Sequence, residues 1–276
     1  MTAESGEGDR TPEQGMPMTL PPVLTRDDWL AARRDLLAAE KELTRARDRL
    51  NARRRRMGMV RVEKRYVFEG PRGRAGLLDL FDGCRQLIVQ HFMFDPRWTD
   101  GCASCSWAAD EISEGRLRHL REWDTAFAAV SRAPLARIED YRARRGWSFP
   151  WYSSHGSDFN HDFQVTVDES RGSAVYNYRT REEHEQAGTG GFLEGEQPIE
   201  LPGFSCFLRD GDAMFHTYST YARGTESIGG AHYLVDLTVL GRQQEFERAI
   251  DRALEMRERE PRAQDDSGAH GGGGRG

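Results

Sequence analysis

Four cysteines among 276 residues are too few for a disulfide framework. No stretch approaches the roughly 20 consecutive apolar residues that a helical membrane span needs. Met1 to Gly15 is polar and acidic and lacks the apolar core of a secretory signal, so a cytoplasmic address is expected. Basic charge is also short: 39 Lys and Arg stand against 45 Asp and Glu, a formal charge of -6, which speaks against a nucleic-acid binder. The basic run Arg53-Arg54-Arg55-Arg56 suits the end of a solvated helix instead. A Gly-x-Ser-x-Gly elbow, a second Cys-x-x-Cys and a His-x-x-x-His pair are all missing, so neither a serine hydrolase nor a closed zinc site has sequence support.

What is present is one chemically suggestive motif. Gly101-Cys102-Ala103-Ser104-Cys105-Ser106 follows an apolar run and opens a segment that reads as a helix. Free backbone N–H groups at a helix start favour a thiolate there, which lowers a thiol pKa from about 8.5 toward the roughly 3.5–7.5 range. Cys105 lies one helical turn on, within reach to close a bridge. The plainer reading of the pair is two small buried side chains. Cys84 and Cys206 are expected in the core.

Residues 1–24 are rich in Gly, Pro, Glu and Thr and are expected to lack fixed structure, as is the Gly-rich tail 261–276. A long helix is expected over 25–57, with Thr25 as N-cap and Asp28 three positions on. Along it Trp29, Leu36, Leu43 and Leu50 recur every seven residues, with Ala32, Ala39 and Ala46 between them. That row either docks on its own domain or pairs with a second copy. The remaining core, 58–240, alternates strand and helix. Strands are expected at 63–69, 86–94, 125–131 and 147–153, and helices at 102–123 and 132–146. A polar insertion at about 170–198 precedes a β-hairpin, 204–208 and 213–218, with an Asp210-Gly211 turn. A last helix, 241–260, carries the stripe Phe246, Ala249, Ile250, Ala253 and Leu254. The order strand, Cys-x-x-Cys helix, strand, helix, strand implies an α/β domain with parallel neighbours. The glycines at 70, 73 and 76 mimic a phosphate loop with the wrong spacing and read as an Arg-rich hairpin.

The hairpin at 64–74, the strand before Cys102 and the strand ending at Val130-Ser131 resemble thioredoxin- and peroxiredoxin-like proteins. His91-Phe92-Met93-Phe94, Gly156-Ser157-Asp158-Phe159-Asn160 and the stretch Phe215 to Gly224 resemble a bacterial family, DUF899, labelled as predicted dithiol–disulfide oxidoreductases. The resemblance runs from about Pro21 to Gln243. It implies a thioredoxin-like fold: a central mixed sheet flanked by helices, between a long N-terminal and a C-terminal helix. It also implies Cys102 as nucleophile and Cys105 as resolving thiol, with no cofactor, and a thiol or disulfide substrate, protein or small molecule, served by an external thiol reductant.

Pro202 resembles the cis-proline that faces a thioredoxin disulfide. Thr99-Asp100-Gly101-Cys102 fits the Thr-x-x-Cys of peroxiredoxins, for which Arg132 is the candidate arginine. Trp98 shields the thiolate or simply packs. His216, with Tyr218 and Tyr221, either grips substrate or belongs to an ordinary strand. Two rivals therefore stay open: a thiol peroxidase, and a metal-binding or adaptor module joining the cysteines to His91, His119, His216 or Cys206. The polar cluster His155, Asp158, Asn160, His161 and Asp162 matches no hydrolytic spacing and reads as a loop.

Overall fold

The computed structural model describes residues 21–228, 230 and 234–238. The expected C-terminal helix and tail, and nearly all of the first 24 residues, lie outside the described residues. The chain divides into two compact units at Ala52/Arg53.

Helix α1 (Arg26–Arg56) begins where the Thr25 hydroxyl accepts the N–H of Asp28 at 3.2 Å and donates to its carboxylate at 2.6 Å. Asp27 and Asp28 in the first turn and Arg53–Arg56 in the last complement the helix dipole. None of its residues is buried, and the row Trp29, Leu36, Leu43 and Leu50 is 46–63% exposed.

From Arg53 onward the chain builds a mixed sheet. Its elements are β1 (Val60–Arg61), β2 (Val67–Gly70), β3 (Gly73–Gly76), β4 (Gln86–His91), α2 (Ala103–Asp110), α3 (Glu114–Glu122), β5 (Thr125–Ser131), α4 (Leu135–Arg145), β6 (Trp151–Ser153) and α5 (Phe159–Asp162). The insertion follows as β7 (Thr166–Val167), β8 (Val175–Tyr176), β9 (Arg179–Thr180), α6 (Arg181–Gln186) and β10 (Ile199–Glu200), and the hairpin as β11 (Gly203–Asp210) and β12 (Ala213–Tyr221). Eight strands form one sheet in the order β1-β12-β11-β4-β5-β6-β2-β3. Strands β4, β5 and β6 run parallel, and β11 and β12 are antiparallel to their neighbours. The strand leading to Cys-x-x-Cys thus sits between a parallel and an antiparallel neighbour, as in a thioredoxin-like fold.

Two cores cover the two faces of this sheet. Leu87, Val89, Ala126, Ala128, Val130 and Phe207 pack with Phe68, Phe81 and Phe159 on one side. Phe127 and Ala129 pack with Phe92, Phe94, Ile138, Tyr141, Phe149 and Trp151 on the other, and Cys105 lies in this second core. β5 is buried at every position, which is why its sequence shows an unbroken apolar run rather than alternation. Among the described residues no helix is long and apolar enough to cross a membrane.

Four expectations are corrected. The helix over 102–123 is two helices, because Ser113 caps α3 by accepting the N–H of Arg116 at 3.2 Å. The strand over 86–94 ends at His91, so Phe92 to Phe94 belong to the loop that carries Cys102. The insertion is not all surface: Ala174, Tyr176 and Leu193 form a small core with Val165, Val167, Leu201 and Tyr221. The hairpin turns through Gly211 and Asp212, one position on from the expected Asp210-Gly211, with Gly211 at φ +57°.

Candidate active site

Cys102 is the N-cap of α2, in extended backbone before the first turn. Its N–H donates to the Met93 carbonyl at 3.0 Å, tying the helix start to the chain leaving β4. The N–H and the hydroxyl of Ser106 both donate to the Cys102 carbonyl at 2.9 Å, and Ser106 Oγ lies 2.9 Å from the Tyr141 hydroxyl on α4. Gly101 is required by close approach, since a Cβ there would stand 2.6 Å from Phe92 Cε1 and 3.0 Å from Tyr141 Cε1. The loop before it is fixed from both ends. The Arg137 guanidinium donates to the carbonyls of Pro96 and Trp98, and Arg144 pairs with Asp100 at 2.6 Å.

The two sulfurs have opposite characters. Cys102 is half-buried and Cys105 is buried at 5% exposure, and both are free thiols. Interaction with the Cys105 thiol does most to bring Cys102 down to about 5. Burial opposes it, while the Ser104 hydroxyl, at 3.1 Å, and the N–H groups of Cys105 and Ser104 add to it. The same interaction, with burial, pushes Cys105 well above an ordinary thiol. The surroundings favour a thiolate at Cys102 and the protonated thiol at Cys105.

The other sequence-predicted residues distribute unequally. Trp98 and Thr99 lie exposed on the loop four and three residues before Cys102. Pro202 directly precedes β11, whose first residue, Gly203, pairs with His91 at the end of β4. The cis bond of this region is Gln197–Pro198 and not Leu201–Pro202, so the cis-proline likeness of Pro202 does not hold. Arg132 is engaged elsewhere, 2.6 Å from the buried Glu200 carboxylate, which also accepts from Thr166 at 2.9 Å. His216 packs against Phe163 and Phe207, in the core of the opposite sheet face from Cys105. There its Nε2 ends a chain of 2.7 Å hydrogen bonds through Ser219 and Ser205 to His91 Nε2. Strand alternation on β11 and β12 separates it from the thiols.

Several residues near the motif escaped sequence reasoning. Ser104 is one: a hydroxyl two residues from a cysteine at a helix start is a legible donor. Tyr176, far away in sequence, donates to the Pro202 carbonyl at 3.1 Å, and burial, with a smaller contribution from Cys105, pushes its hydroxyl well up. Asp95 is a buried carboxylate gripped by Arg97 at 2.8 and 3.0 Å. Cys84 is buried, and burial raises the half-buried Cys206 to about 11. The polar cluster is an ion network rather than a bare loop. Lys64 pairs with Asp158 at 2.9 Å and Asp162 at 2.6 Å, and Arg171 with Asp158 at 2.6 Å. Among the described residues no group of three or more His, Cys, Asp or Glu is placed to hold a metal ion.

Several solved structures are similar to the chain. Peroxiredoxin Q from Xanthomonas campestris is 13% identical, with 69% of this chain and 89% of that one covered and a TM-score of 0.37. Peroxidoxin BcpB from Mycobacterium tuberculosis is 12% identical, covering 62% and 92%, with a TM-score of 0.36. A Bacteroides thetaiotaomicron protein provisionally described as a protein disulfide isomerase is 14% identical, covering 62% and 88%, with a TM-score of 0.34. No curated protein matches the chain. The family model of the bacterial proteins of unknown function DUF899 matches residues 18–261, and the chain belongs to that family.

Proposed function

We propose that this protein is a thiol–disulfide oxidoreductase that works through Cys102 and Cys105. The observation that carries the reading is the asymmetry of the pair: an accessible thiol brought down to about 5 beside a buried one pushed well up. The Cys102 thiolate attacks one sulfur of a substrate disulfide. A Cys102–substrate disulfide forms, the substrate S–S bond breaks, and the first product leaves as a thiolate. Bonding removes the negative charge from Cys102, so the Cys105 thiol loses the acceptor that held its proton. That proton passes to the leaving sulfur as Cys105 attacks Cys102, which closes the 102–105 bridge and frees the second product thiol. The substrate gains two electrons and the motif loses two, and an external dithiol restores them by exchange.

The test is reduction of insulin or of a glutathione mixed disulfide by the purified protein. Cys102→Ser is expected to abolish turnover, and Cys105→Ser to accumulate the mixed disulfide, seen as added mass. A peroxidase would instead give a sulfenic acid at Cys102 in Cys105→Ser treated with hydrogen peroxide. The arrangement favours the exchange reaction, since the candidate guanidinium, Arg132, is held by Glu200.

A further inference from the structure

Helix α1 carries an apolar row and buries none of it. Its 31 residues span about 46 Å, and helices in proteins draw most of their stability from packing one face against a neighbour. No side chain of α1 is buried, and Trp29, Leu36, Leu43 and Leu50 stand 46–63% exposed. The row is narrow. Its large members recur every seven residues with Ala32, Ala39 and Ala46 between them, and a charged row borders it on each side. Leu30 and Leu37 widen it in the first half only, since Thr44 and Asn51 continue their line. Such a stripe suits a pair of helices, whereas a helix lying on a membrane needs a broad apolar face.

Sterics and charge select the same partner in the same orientation. Two parallel copies in register would set Leu against Leu and Ala against Ala, so wide and narrow layers would alternate. Antiparallel copies set the large row of each against the small row of the other. Leu43 then faces Ala46 of the second copy, Leu50 faces its Ala39, and Leu36 meets the aliphatic stem of its Arg53. Trp29, under the Arg26 guanidinium at 4.9 Å, lies beyond the overlap. In this register one bordering row reads Asp35, Glu42, Arg49, Arg56, acids first and bases last, so Asp35 faces Arg56 and Glu42 faces Arg49. The other border sets Glu40 against Arg47, and Arg33 against Arg54 as its like-charged pair. Both arginines of that pair have other company: Arg33 bonds Glu40 of its own helix at 2.9 Å, and the Arg54 guanidinium lies 4.4 Å from the Tyr218 ring centre. In the parallel arrangement Asp35 would face Glu40 and Arg49 would face Arg54, so half of the bordering pairs would repel.

We infer that α1 is an interaction surface for a second copy of this chain, paired antiparallel through the Leu and Ala rows about a two-fold axis. The inference stands apart from the redox reading, since neither thiol of the motif takes part in it. The test uses the full chain. Sedimentation equilibrium at micromolar concentration is expected to give twice the mass of one chain. Leu43→Glu combined with Leu50→Glu is expected to raise the dimer Kd about a hundredfold or more, with near-UV circular dichroism showing that the sheet domain keeps its packing. Orientation is read by oxidative cross-linking of two chains, Ala39→Cys and Leu50→Cys, each also carrying Cys102→Ser and Cys105→Ser. Antiparallel pairing gives a disulfide-linked dimer only when the two are mixed, whereas parallel pairing bridges Ala39→Cys to itself. A monomer throughout, a dimer unmoved by the double variant, or any bridging pattern other than the mixed one overturns the inference. A monomer that binds vesicles of anionic phospholipid through the same row overturns it as well, and assigns the row to a membrane surface.

Discussion

The interaction between the two thiols of the motif moves them in opposite directions, and the residue scale is where the chemistry is decided. The Cys105 S–H stabilises charge on Cys102 and thereby keeps its own proton. Alkylation of Cys102, followed against pH by mass spectrometry, is expected to show a midpoint near 5. Cys105→Ala removes the largest stabilising donor and is expected to move that midpoint up toward the roughly 8.5 of a free thiol. Ser104→Ala removes a lesser donor and is expected to move it in the same direction by less. A wild-type midpoint near 8.5 would sink the nucleophile assignment. Cys84 and Cys206 serve as internal references, since both are expected to stay slow to alkylate until the protein unfolds.

At the scale of elements, the motif is a hinge between a strand and a helix held by close packing. The Phe92 ring lies over Gly101, and the adjoining aromatic core contains Phe94, Tyr141 and Trp151. Each such fully buried side chain contributes about 1.5–3 kcal/mol relative to exposure. Gly101→Ala forces a methyl into the Phe92 and Tyr141 rings and is expected to cost roughly 1–3 kcal/mol, as overpacking does. Urea unfolding checks this. Because Gly101 adjoins Cys102, the same variant is expected to slow alkylation of the folded protein. At α3 the loss of a cap is the smaller effect: Ser113→Ala is expected to cost about 1 kcal/mol by the same measurement.

For the whole molecule, buried ionisable groups link stability to pH with opposing signs. Burial drives His91 down to about 3 from 6.5, so the unfolded chain binds the extra proton and stability falls as pH drops from 6.5 toward 3. Burial pushes Glu200 up to about 7 from 4.5, Arg132 opposing, so the folded state binds the extra proton between those values. Its contribution is therefore full below about 4.5 and lost as pH rises through about 7. Relative to wild type, Glu200→Gln is expected to gain stability steadily between pH 4.5 and 7, at up to about 1.4 kcal/mol per pH unit. Urea unfolding at a series of pH values reads this difference directly. A flat difference would show that Glu200 keeps its charge in the folded protein.

The sequence determined the elements whose signals are local. Thr25 and Asp28 announced the start of α1, the run Thr125–Ser131 announced a fully buried parallel strand, and Asp210-Gly211 announced the hairpin, to within one position of its turn. It also picked out Cys102 and Cys105, because a helix start two residues before a second thiol is a pattern in sequence neighbours. Tertiary structure alone decided which distant residues join them. The sheet places His216 on the far face, Glu200 takes Arg132 out of reach of the role foreseen for it, and Leu201–Pro202 is not a cis bond. It also buries Tyr176, from a stretch that reads as polar surface, where its hydroxyl donates to the Pro202 carbonyl just ahead of β11. Periodicity fixes the face a side chain occupies within one strand, whereas the pairing of strands far apart in sequence fixes which faces meet, and that pairing leaves no mark in any single segment.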